Sequence, residues 1–191
     1  MRSAKRRESH PIRDGISQAL RGAGGVFTES SEAVARAVTA AIHEAGQAGE
    51  NASERVAEII RAAVQGIGGT GDDAAGAIKG ISVGVLRGTK ESGIDASRTI
   101  GRTAGTVVRE TLRRGGDLAE ATRGLVRGAI HSAKDLGLDA AEAASDVADA
   151  ALDAAEEISA AAAAKVRAAV VDSIDGVRVM LRRQGRHQVL P

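Results

Sequence analysis

Six residues, Gly66-Ile67-Gly68-Gly69-Thr70-Gly71, have the G-x-G-x-x-G form in which bare backbone N–H groups at a helix N-terminus cradle a pyrophosphate. That chemistry would be dinucleotide binding. The flanking residues argue against it: the preceding stretch has helical periodicity where a strand is required, and Asp72-Asp73 place negative charge where phosphates would sit. A glycine-rich hinge is the better reading. Carboxylates at Asp135, Asp139, Glu142, Asp146, Asp149, Asp153 and Glu156 alternate four and three apart, which lines them along one side of a helix. A straight stripe has no loop to surround a cation, so calcium or magnesium binding is not expected. His10, His43, His131 and His187 are scattered, and the absence of cysteine excludes disulfides, thiolate metal sites and thiol nucleophiles. No Ser, His and Asp grouping suggests a nucleophile. The sequence therefore reads as a non-enzyme with no cofactor and no metal.

The same acids can meet a basic partner. Residues Ala143 to Ala164 hold five acids and no base, whereas Lys165 to Arg186 hold six bases and two acids. Asp146, Asp149, Asp153 and Glu156 set against Arg178, Arg182 and Arg183 would fix the register of head-to-tail or antiparallel pairing between copies of the chain. The alternative is a solvated face, since exposed pairs contribute only ~0–1 kcal/mol each. Arg98, Arg102, Arg109 and Arg113 lie along a helical face and could bind phosphate. A net charge of +1, interleaved acids such as Glu110 and Asp117, and Phe27 as the sole aromatic argue against nucleic acid.

These groups must be positioned by a repeat. From Ala33 to about Arg186 the chain repeats every 22 residues, as two 11-residue units in one apolar phase. The tenth place of successive blocks reads Ile42, Val64, Leu86, Val108, Ile130, Leu152 and Ile174. Apolar residues recur about every eleven-thirds of a residue, close to the pitch of an α-helix, so the stripe stays on one helical face. The prediction is an all-α fold of elongated, long amphipathic helices, packed as a helical bundle or coiled-coil-like assembly.

Glycine modulates that expectation. Gly66, Gly68, Gly69 and Gly71 crowd one stretch and predict a break near 66–72, with a second break signal at Gly115-Gly116. Single glycines at Gly49, Gly93 and Gly137 read as kinks or close-packing points, and the alanine-rich run from Asp139 to Arg183 as the most stable helix. Gly76, Gly80, Gly84 and Gly88 stand four apart and form a groove where another helix can approach closely. Residues 1–29 read as a flexible basic arm, 30–184 as the helical repeat region and 185–191 as a basic tail. No signal-like or membrane-spanning apolar run is present, so a cytoplasmic location is expected.

In its tandem 22-residue units built from 11-residue ones, the region Ala33 to Arg186 resembles the broad class of amphipathic helical repeats that includes exchangeable apolipoproteins, synucleins, perilipins and group 3 late-embryogenesis proteins. Gly88-Thr89-Lys90-Glu91-Ser92 resembles the synuclein repeat core once, whereas the proline punctuation of apolipoprotein repeats is absent. The resemblance implies helices lying on an apolar surface or on one another, and it transfers no functional residue. The leading expectation is a self-associating scaffold or filament-like protein, with its own copies as partner. A peripheral coat on lipid or a hydrophobic granule is the alternative, and non-specific nucleic-acid binding comes third.

Overall fold

The computed structural model describes residues 27–47, 52–67, 72–93 and 96–182. Among the described residues seven helices follow one another: α1 (Phe27–Gln47), α2 (Ala52–Gly66), α3 (Asp72–Glu91), α4 (Ala96–Arg113), α5 (Leu118–Leu136), α6 (Ala140–Glu156) and α7 (Ala160–Ala169). Among the described residues the only strand-like pairing is one antiparallel bridge, Ile174 with Val177. The fold is all-α. The basic arm assigned to residues 1–29 lies outside the described residues save its last three, which open α1, and the tail 185–191 lies wholly outside.

Helices α4, α5 and α6 begin at Ala96, Leu118 and Ala140, 22 residues apart, so one sequence period is one helix and one turn. Gly115 and Gly137 both take φ +68°. Beyond them, the N–H groups of Gly116 and Leu138 donate to the carbonyls of Thr111 and Ala133, closing two helix C-termini in the same way. Two residues after each glycine, Asp117 and Asp139 accept hydrogen bonds from the first free N–H groups of the next helix. The recurring Gly-x-Asp is thus a stop followed by a start. Asp117→Ala should cost about 1 kcal/mol, read as a lower urea midpoint at unchanged slope. An unchanged midpoint would show that the side chain does not hold this turn.

Three expectations are corrected here. Gly93 and Gly137 are not kinks within a running helix: both end one, at φ +67° and +68°, a conformation open to glycine at little cost. Gly49 lies outside the described residues. The helices do not continue through successive repeats as elongated rods either, because each spans 10 to 21 residues and then turns back. Nor is Asp139–Arg183 one helix. It breaks after Glu156, restarts at the Ser159 cap, whose hydroxyl accepts from the Ala162 N–H, and stops at Ala169. Beyond it, Asp175 at φ +48° and Gly176 at φ +78° make the tight turn that the Ile174–Val177 bridge closes, and residues 178–182 are not helical.

Alternate helices pack side by side, which sorts them into two rows, α1–α3–α5–α7 and α2–α4–α6. The most extensive interfaces join α1 to α3, α3 to α5 and α4 to α6, and α5 with α6 is the chief contact across the rows. A single hydrophobic core runs through all seven helices and reaches Val170 and Ile174. No helix among the described residues is long and apolar enough to cross a membrane.

Candidate packing interface and docking face

All seven tenth-place residues, Ile42, Val64, Leu86, Val108, Ile130, Leu152 and Ile174, are buried by this same chain. In the first row the covering is unusually close. A Cβ on Gly84 would lie 2.6 Å from the Ala35 carbonyl oxygen and 2.7 Å from the Val38 Cβ, and one on Gly88 would lie 2.9 Å from the Ile42 Cβ. Gly80 would meet the Ser31 carbonyl oxygen at 2.4 Å. Three of the four spaced glycines on α3 therefore touch α1, while Gly76 is buried near the start of α3. The pattern recurs on the next helix of the row: 44 residues after Gly80 and Gly84, a Cβ on Gly124 or Gly128 of α5 would lie 2.6 or 2.7 Å from the Ala75 or Lys79 carbonyl oxygen of α3. Side-chain hydroxyls seal both contacts, Thr39 donating to the Gly84 carbonyl and Ser82 to that of Leu125.

The charged groups pair within the chain. Arg87 of α3 bridges Glu32 of α1 at 3.4 Å and Asp135 of α5 at 3.1 Å, a ladder across three helices of one row, and His131 stands 3.5 Å from Asp135. Beside this ladder, Arg36, Thr39, Ala40, His43, Arg87 and Glu91 line an open groove of about 430 Å³. Arg109 binds Glu157 at 2.7 Å and Arg113 binds Glu110 at 2.9 Å, whereas Arg102 is exposed and the side chain of Arg98 lies outside the described set. Two arginines of the phosphate-binding expectation thus already carry carboxylates.

At the G-x-G-x-x-G stretch, α2 ends at Gly66, and residues 68–71 lie outside the described residues. Arg114 donates to the carbonyls of Val64 and Ile67 there, so the element before the glycines is a capped helix C-terminus. A dinucleotide site of this form needs a strand in that place. His43 bonds Gln47, and no group of three His, Asp or Glu among the described residues is placed to hold a metal.

The acidic face of α6 meets the C-terminal segment of its own chain. The Arg182 guanidinium lies 2.7 Å from Asp146 and 4.0 Å from Glu142, and its backbone N–H donates to Asp149 at 3.1 Å. The Met180 N–H donates to the Ser145 hydroxyl. Burial holds the Asp149 carboxyl above its usual range, an effect the Arg182 N–H partly opposes. Glu156 pairs with Arg167 of α7, Asp153 is engaged, Arg178 is exposed and Arg183 lies outside the described residues. The charge complementarity expected between copies is therefore satisfied, at Asp146, Asp149 and Glu156, inside one copy.

Residues 177–182 form a strap. Val177, Val179 and Leu181 are half-buried against the core while Arg178, Met180 and Arg182 are exposed, the alternation of an extended chain on an apolar surface. Its turn, Asp175-Gly176, and its Val-x-Val-x-Leu alternation were visible signals that the helical period of the surrounding repeat masked. The cross-helix pairs Arg87–Asp135 and Arg109–Glu157 were less visible, although both are 48 residues apart, two periods plus one helical turn.

No protein-family model matches the chain, and no curated protein does. Its function is thus read from this geometry.

Proposed function

We propose that the chain is a non-catalytic structural scaffold, a two-row helical stack that offers its charge-laddered outer faces to protein partners. The observation that carries this reading is that the repeat packs this chain's own helices against one another, with every tenth-place residue buried. Among the described residues the first and last elements of the stack differ from its middle. Forty-four residues before the touching glycines Gly80, Gly84 and Gly88, α1 carries Arg36, Ala40 and Glu44, all exposed. At the far end the strap covers α6. Polar terminal units are what keep a repeat stack soluble and finite, and they count against growth by continuing the apolar stripe from chain to chain.

Light scattering after gel filtration should give one chain per particle from ~1 to 100 μM, the range in which weak association would declare itself. Circular dichroism should show the same high helicity with and without anionic vesicles. Open-ended growth with concentration would restore the filament reading, and helicity that appears only with vesicles would favour the lipid coat, since a coat needs the buried stripe turned outward.

A further inference from the structure

We propose that the face of α6 is a docking groove for an extended segment, and that residues 177–182 of a second copy can occupy it by reciprocal exchange. The proposal builds on the scaffold reading by naming the partner and the contact.

The positions that hold the strap are the ones that hold a helix elsewhere in the same row. On α4, Gly101 and Gly105 face α6, where a Cβ on each would lie 3.9 Å from Ala150 and 3.6 Å from Ala154. Forty-four residues on, the equivalent positions of α6 are Ser145 and Asp149. These two side chains accept the N–H groups of Met180 and Arg182. A helix has few free N–H groups to offer along its side, whereas an extended chain presents one toward a given side at every second residue. The substitution of two glycines by two acceptors thus changes a face that takes a helix into one that takes an extended peptide. Apolar fit comes from Val177, Val179 and Leu181, and Arg182 on Asp146 and Glu142 fixes the direction.

This segment can leave its groove more readily than any helix can leave the stack. Its ion pairs are about half exposed and so contribute little; the exposed, non-helical Val171 to Ser173 are the hinge, and Ile174, bridged to Val177, travels with the strap and seats in the partner's core as it does at home. An exchanged strap would make the same contacts in its partner as at home, which leaves the cost of bringing two chains together as the main opposing term. In one chain the tether gives an effective concentration near ~1 mM, so the wild type is closed on itself at micromolar concentration.

Charge reversal separates the two arrangements. In Arg182→Glu the strap repels its own groove, and in the double variant Glu142→Arg, Asp146→Arg the groove repels its own strap. Mixed in equal amounts, the two make a reciprocally exchanged pair in which both grooves meet a strap of opposite charge. Light scattering should show each variant alone as a single chain and the mixture doubling in mass, with a dissociation constant at least about tenfold below that of the wild type. Combining all three substitutions in one chain should return the single-chain state, with the amides at positions 180 and 182 protected from hydrogen exchange as in the wild type. A mixture that stays single-chain while the triple variant regains that protection would overturn the exchange, because the strap would then hold only at home. Loss of protection in the triple variant as well would overturn the groove itself. Neither result touches the scaffold reading, which falls instead if the wild type polymerises without limit.

Discussion

Gly84→Ala should destabilise the protein and Gly101→Ala should stabilise it, although both place one methyl on a helical glycine. In a helix interior the exchange of glycine for alanine is worth up to about 1 kcal/mol in favour of alanine. At Gly101 nothing opposes that gain, since the new Cβ would stand 3.9 Å from Ala150, an ordinary contact. At Gly84 it would stand 2.6 Å from a backbone carbonyl of α1, which has no rotamer into which it can retreat. Helix α1 must then move, at the roughly 1–3 kcal/mol typical of overpacking, for a net loss of up to about 2 kcal/mol. Gly128→Ala poses the same problem against Ser82 and Lys79 at the α3–α5 interface. Urea midpoints for the three variants decide the matter, and a Gly84→Ala midpoint above the wild type would mean that α1 and α3 do not touch as described.

Leu152→Ala should cost about 2–5 kcal/mol, the range for removing a buried leucine side chain and leaving part of its space empty. Leu152 is 1 % exposed, on α6, which packs against α4, α5 and α7 at once. Helices α6 and α7 are mostly alanine, so they hold few long side chains that could swing in to fill the gap. Against a total stability of about 5–15 kcal/mol the loss should be plain in thermal or urea unfolding. Val171→Ala is the matching control: that side chain is 77 % exposed, and its loss should stay within about 0.5 kcal/mol. Equal effects at both positions would place Leu152 outside the core.

The groove on α6 was half legible in the sequence. Asp146, Asp149 and Arg182 stood out by charge, and opposite charge in adjoining blocks implied that they meet. Which chain supplies the arginine was not legible, because composition is the same whether the pairing is within a copy or between two. Asp175-Gly176 decides it by turning the chain back toward α6, over a distance too short for any helical period to register. Ser145 carried no signal of its own, and its role appears only when it is set beside Gly101 two periods earlier.

From residue order alone came the helical class, the apolar stripe through Ile42, Leu86 and Ile130, and the 22-residue period, because burial on a helix demands that spacing wherever the cover comes from. What covers the stripe was left to the tertiary structure. Glycine at φ +68° and an aspartate cap reverse the chain at Gly115-Asp117 and Gly137-Asp139, so the period that could have run along a rod instead counts helices in a stack. The physical reason is that a periodic pattern specifies a face but not its partner, and only the closed turns bring the second helix on within reach.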